Sequence, residues 1–142
     1  MINKLYKTSL YLASNNKYEG CLLIQLCLID ALAKKHYPNE TNNKIRYCNY
    51  LKQRLNDIGI DEGYRVEEKN DILHLSEIIY NYFRCYLVHE ANSNDEVYIE
   101  FNQPDRINRV EMDRSEKKLI IGCLRLIEIL SEIISKDTFF IK

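Results

Sequence analysis

Arg84 and His89 are the two residues whose types and spacing are best suited to chemistry. Four residues separate them near the expected end of a strongly patterned helix. The imidazole of His89 titrates near neutral pH and can exchange a proton, whereas the guanidinium of Arg84 stays charged and can hold two phosphate oxygens. Together they could supply the base and the cation that cleavage of a phosphodiester requires when no metal ion takes part.

The other two histidines have structural explanations. His36 follows Lys34 and Lys35 at the end of the second predicted helix, where a cation interacts favourably with the helix dipole. His74 lies in the first turn of the fourth predicted helix, with no acid or nucleophile beside it in the sequence to activate it. We therefore expect His36 to cap a helix and His74 to pack.

The cysteines predict buried thiols in a reducing compartment, because their number is odd and no closely spaced pair of the zinc-ribbon type occurs. Cys85 and His89 have the i, i+4 spacing that could bind one zinc ion from one helix face, but two further ligands are missing. We therefore expect no metal site and no cofactor. The five cysteines are Cys21, Cys27, Cys48, Cys85 and Cys123.

The segment from Tyr80 to Glu90 reads Tyr-Asn-Tyr-Phe-Arg-Cys-Tyr-Leu-Val-His-Glu. It resembles the signature of the HEPN superfamily of small helical domains, which is Arg, four to six variable residues, and His. The resemblance implies a HEPN-like helical bundle and a metal-independent endoribonuclease, often a toxin or a defence protein, that cleaves RNA through a 2′,3′-cyclic phosphate. It also implies a homodimer in which two copies of the motif share a cleft, and an antitoxin or nucleotidyltransferase partner.

The resemblance assigns roles to residues of this segment. His89 is the general base, and Arg84 stabilises the phosphate as charge develops on it. The expected supporting residues are Asn81, Cys85 and Glu90.

Two features of the segment leave a second hypothesis open. On a regular helix, Arg84 and His89 lie roughly 140° apart, so their convergence requires the helix to end before His89 or a partner subunit to supply one group. Cys85 stands where active family members commonly carry Asn, Asp or His, and a thiol is a poor replacement in hydrogen bonding. The alternative is a non-catalytic module of the same fold that binds RNA, a nucleotide or a protein.

Basic residues near tyrosines are the second candidate for RNA contact, because cations bind phosphates and aromatic rings stack on bases. Such residues more often form solvated helix faces. The clusters are Lys34-Lys35, Lys44-Arg46, Lys52-Arg54 and Arg106-Arg109-Arg114, with Tyr47, Tyr50 and Tyr98 available for stacking.

Apolar residues at helical spacing predict an all-α, mainly helical fold of about five helices. Asp71 is expected to cap the fourth helix, and Asp113 with Glu116 forms a capping-box-like start for the fifth. Alternating residues at 97–101 and 107–112 predict one short β-hairpin before the last helix. The helices are expected at 4–15, 17–36, 45–58, from 72 to near 90, and from 113 to 136, with a loop at 60–70.

Length and composition predict a single folded domain over residues 1–142. The hydrophobic fraction is 46% and the charged fraction is 29%, which are ordinary values for a globular chain. The net charge of −1 creates no global field toward nucleic acid, so RNA binding would require a local patch. Residues 1–14 lack the apolar run of a signal peptide, and the apolar run at 21–33 is too short to cross a bilayer, so we expect a cytoplasmic protein without a membrane partner.

Overall fold

The computed structural model describes residues 1–66, 71–88, 97–113, 115 and 118–140, without the side chains of residues 65, 66, 71 and 85–88. Five helices and five strands lie in these ranges. The predicted mainly helical character is therefore confirmed, but the chain contains more strands than the one predicted hairpin. The elements are α1 (Ile2–Ser14), α2 (Tyr18–His36), α3 (Asn43–Asp57), β1 (Gly63–Val66), β2 (Asp71–His74), α4 (Leu75–Val88), β3 (Val97–Glu100), β4 (Val110–Asp113), β5 (Lys118–Gly122) and α5 (Cys123–Lys136).

A β-hairpin precedes α4 where the sequence predicts a loop and a helix start. β1 and β2 are antiparallel, with Gly63 opposite His74. Asp71 therefore lies in a strand and does not cap α4, which begins at Leu75. A short apolar run such as Ile72-Leu73 fits either a strand or a first helical turn, and only its pairing with β1 decides between them.

The second sheet has three strands in the order β3-β5-β4. β5 is parallel to β3 and antiparallel to β4, so the predicted hairpin of 97–101 with 107–112 is wrong because β5 lies between these strands. The predicted capping box at Asp113 is wrong for the same reason, since α5 begins at Cys123. Leu119, Ile120 and Ile121 are all buried, and such a continuous apolar run is typical of a central strand.

The start of α5 depends on a close backbone approach at Gly122. The carbonyl of Ile107 accepts hydrogen bonds from the amides of Leu124 (2.7 Å) and Arg125 (3.2 Å), which are among the first amides of the helix and have no partner within it. The amide of Gly122 donates to the carbonyl of Arg109 (2.8 Å). A Cβ atom at Gly122 would overlap the Ile107 carbonyl, so this position requires glycine.

The chain forms two compact units, of which the first combines Met1–Ile29 with Ser93–Lys142. A buried amide joins three of its helices: Gln25 Nε2 of α2 donates to Ser9 Oγ of α1 (3.3 Å) and to Ser131 Oγ of α5 (2.8 Å). Its core contains apolar side chains of α2, the three-stranded sheet and α5, among them Leu22, Leu26, Ile121, Leu126, Leu130 and Ile134.

The second unit is Asp30–Asn92. In its described part, α3 packs against α4, and β2 contacts the start of α4. That the whole chain acts as one domain stays a prediction. The buried apolar residues of this unit include Leu32, Tyr47, Leu51, Leu55, Leu75 and Ile79.

None of the described helices combines the length and the apolar character that crossing a bilayer would require.

Replacement of Gly122 tests the capping of α5. We expect Gly122→Ala to lower the free energy of unfolding by about 1–3 kcal/mol, because the added methyl group must displace the backbone at Ile107. Gly59→Asn is the control: Gly59 has a φ of 74° with open space around it, and asparagine tolerates that conformation. Urea denaturation of both variants measures the effect, and equal stability of Gly122→Ala and the parent would contradict it.

Candidate functional site

The helix α4 separates a buried apolar face from an exposed polar one. Tyr80 and Phe83 are buried, whereas Tyr82 is half-buried. Asn81 and Arg84 are exposed, and their i, i+3 spacing makes them neighbours on the helix surface. The structure therefore brings these two predicted site residues together on the solvent side of α4.

An aromatic stack holds this part of α4 against α3. The ring of Tyr47 lies 5.2 Å from the ring of Phe83, with an angle of 16° between their planes, and 5.5 Å from the ring of Tyr80. Tyr47 is 1% exposed, so the sequence-based expectation that it stacks on RNA bases is wrong. Since Phe83 immediately precedes Arg84, the stack positions the backbone from which the guanidinium projects.

The start of α4 is bound to the segment that follows α3. The amide of Leu75 donates to the carbonyl of Glu62 (2.7 Å), and the Ser76 hydroxyl donates to the Glu62 carboxylate. The Cys48 thiol of α3 donates to the carbonyl of Ser76 (3.8 Å). Contacts at Ser76 and at Phe83 thus hold α4 near both of its ends.

The other predicted site residues lie wholly or partly outside the part of the chain that the structure describes. Cys85 belongs to α4, but its side chain is not among the described ones, and His89 and Glu90 lie outside the described residues. Arg84 and Asn81 form no hydrogen bond or ion pair with any residue that the structure describes. The meeting of Arg84 with His89 stays a prediction.

The arginines in the basic clusters of α3 are engaged within the protein. The Tyr50 ring is 1% exposed and lies 5.4 Å from the His36 ring, which agrees with a structural role for His36 and excludes stacking of Tyr50 on a base. Arg54 lies over Tyr50 and pairs with Asp57 (3.3 Å). Arg46 is buried and donates to the Glu40 carbonyl and to Asn43.

The cluster before β5 is also engaged with acids. Arg106 and Arg109 pair with Glu111 at 3.0 and 3.3 Å, and Arg106 also lies 3.7 Å from Asp113. Arg114 lies outside the described residues, and Tyr98 is exposed. These pairs lower the positive charge that the cluster could offer to RNA.

The described cysteines are poorly suited to nucleophilic or metal chemistry, apart from the exposed Cys27. Burial raises the pKa of the Cys21 and Cys123 thiols to about 11 and raises the pKa of Cys48. Because the thiolate is the reactive form, these three thiols are inert near neutral pH. No group of three or more His, Cys, Asp and Glu side chains within the described ranges is arranged to hold a metal ion.

Fold and site together define a mainly helical α+β protein in which a packed helix pair presents a solvent-facing arginine. The chain belongs to the Rv1289 family, whose family model matches residues 1–134. No curated protein and no solved structure matches the chain.

Thiol labelling tests the burial of the cysteines. In a Cys85→Ser background at about pH 8, we expect Ellman's reagent to modify Cys27 first and to reach Cys21, Cys48 and Cys123 only on unfolding, since burial blocks access and suppresses the thiolate. Cys27→Ser should remove the fast phase. Rapid labelling of several thiols in the folded protein would be inconsistent with the described core.

Proposed function

We propose that the chain is a metal-independent endoribonuclease of the HEPN type, with a HEPN-like arrangement of its helices. The observation that carries the proposal is the segment from Tyr80 to Glu90, in which Arg84 precedes His89 at the spacing of the HEPN motif. The exposure of Arg84 supports it, because a guanidinium that forms no ion pair with a described residue can bind a phosphate.

The proposed reaction is a transesterification within the RNA strand. His89 removes the proton of a 2′-hydroxyl, and the resulting oxygen attacks the adjacent phosphorus. The bond from phosphorus to the 5′-oxygen breaks, and that oxygen takes up a proton, which leaves a 2′,3′-cyclic phosphate and a 5′-hydroxyl. Arg84 stabilises the charge that accumulates on the phosphate oxygens in the transition state.

The supporting residues act around this pair in the same proposal. Asn81 lies beside Arg84 on the exposed face of α4 and can donate its amide to the same phosphate. Cys85 and Glu90 follow the two principal residues in the chain and would support them. In a cell the protein would act in the cytoplasm as a toxin or a defence protein, with an antitoxin or nucleotidyltransferase partner.

A specific observation favours a second function, which is a non-catalytic module of the same fold. Cys85 replaces the polar residue that commonly follows the arginine in active family members. Because a thiol donates only weakly, the site of this chain could hold RNA, a nucleotide or a protein without cutting. Binding without cleavage would distinguish this function from the nuclease.

Substitution of the two principal residues tests the nuclease proposal. We expect Arg84→Ala and His89→Ala each to abolish RNA cleavage, while Arg84→Ala changes the free energy of unfolding by less than about 0.5 kcal/mol because the residue is exposed. Cleavage by the parent should persist in EDTA, and mass spectrometry of the products should find cyclic phosphate ends.

Arg125→Ala is the control, since Arg125 is a half-exposed arginine of α5 that pairs with Glu128. This variant should cut as fast as the parent. A His89→Ala variant with full activity, or a parent that cuts no RNA, would falsify the nuclease proposal.

The oligomeric state is a separate expectation of the same proposal. We expect a homodimer in which both copies of the Arg84 and His89 pair approach a two-fold axis, because a symmetric pair of sites can form one shared cleft. Sedimentation velocity at micromolar protein should detect the dimer. A species that stays monomeric at these concentrations would contradict the shared cleft.

A further inference from the structure

The helices α3 and α4 pack against each other. The first half of α3 contacts the start of α4, where the Cys48 thiol donates to the carbonyl of Ser76 (3.8 Å). Farther along the pair, Tyr47 contacts Phe83. Lys44 lies one turn before Tyr47 and Arg84 follows Phe83, so this contact brings the backbone at Lys44 and at Arg84 into the same region of the helix pair.

A stripe of α3 that contains two lysines lies next to α4, where its Cys48 contacts Ser76. Lys44, Cys48 and Lys52 follow one another at i, i+4 and i+8, and Glu77 lies two turns before Arg84 on α4. Burial raises the pKa of the Cys48 thiol, nearby Glu77 raises it further, and Lys44 and Lys52 lower it. The hydrogen bond from Cys48 to Ser76 and the stacking of Tyr47 on Phe83 place this part of α3 next to α4, on which Arg84 is exposed.

These lysines differ from other basic side chains of the same unit. Lys44 and Lys52 are exposed and form no ion pair with any residue in the described ranges. By contrast, Lys34 pairs with Asp30 (2.8 Å) and Arg54 pairs with Asp57. The charge of Lys44 and Lys52 is therefore available to an external anion.

We propose that Lys44 and Lys52 bind phosphates of the RNA strand whose cleaved phosphate lies at Arg84. The two lysine Cα atoms are about 12 Å apart along α3, so the two lysines and Arg84 form an extended cationic track that complements a charged backbone better than a small anion. This inference rests on the proposed function for the identity of the ligand.

The track recognises the RNA backbone and not the bases. The tyrosines of α3, Tyr47 and Tyr50, are buried against other aromatic rings and cannot stack on nucleotides. Lysine contacts with phosphates carry no sequence information. Binding along this track should therefore depend strongly on salt and weakly on base composition.

Binding of an oligonucleotide that cannot be cut separates the track from catalysis. Fluorescent 2′-O-methyl oligouridylate and oligoadenylate of equal length serve as probes, because a blocked 2′-hydroxyl cannot attack its phosphate. We expect Lys44→Ala and Lys52→Ala each to weaken both probes several-fold and to reduce the slope of log K against log salt by about 0.7. Glu77→Gln should strengthen binding, since it removes a negative charge from the stripe of α4 that contains Arg84.

Lys7→Ala is the matched control, because Lys7 is an exposed lysine of α1 in the other unit and forms no ion pair with a described residue. It should leave the affinity unchanged. Equal losses of affinity in Lys7→Ala and Lys44→Ala would overturn the track, because they would indicate diffuse electrostatic attraction. Unchanged affinity of both Lys44→Ala and Lys52→Ala would also overturn it. A parent that binds neither probe would do the same.

A parallel assay with ordinary RNA keeps the two proposals distinguishable. If ordinary RNA is cut, and if Lys44→Ala and Lys52→Ala bind and cut it like the parent, the track is wrong. The nuclease proposal is then unaffected. If binding of the probes depends on Lys44 and Lys52 but ordinary RNA is never cut, the result supports the track and favours the non-catalytic module.

Discussion

The stacking of Tyr47 on Phe83 is the contact on which the candidate site depends. It buries the two rings between α3 and α4 and so determines which face of α4 remains in solvent. Arg84 follows Phe83 directly, and Lys44 lies one turn before Tyr47, so the same contact positions the backbone of the arginine and brings the start of α3 near it. An apolar contact between helices thus positions charged groups that do not contact each other.

The junction of β5 and α5 in the first unit depends on a close approach of the backbone. The turn at Ile107 packs closely on Gly122. The carbonyl of Ile107 therefore accepts hydrogen bonds from the first α5 amides, which have no partner within the helix. This close approach ends β5 and starts α5 at one residue. Since residues 107 and 122 are far apart in the chain, no local pattern specifies where the strand ends and the helix begins.

Ion pairs decide which basic residues can meet a nucleic acid. Arg54, Arg106 and Arg109 lie near acids, so neutralisation within the protein lowers their attraction for phosphates. A chain with a net charge of −1 can still present positive charge to RNA if its acids are paired elsewhere. Arg84 of α4 and Lys44 and Lys52 of α3 are exposed and form no ion pair with a described residue, so their charge is not neutralised in this way.

The sequence by itself predicts the helices and the Arg84 and His89 motif, because helical periodicity and motif spacing are local properties. It does not predict β1, β2 or β5, or the burial of Tyr47, because strand pairing and ring stacking require partners that are distant in the chain. Apolar runs such as Ile72-Leu73 and Leu119 to Ile121 satisfy both strand and helix patterns. Only the tertiary structure decides between them, since the energy of a strand comes from its neighbours and not from its own residues.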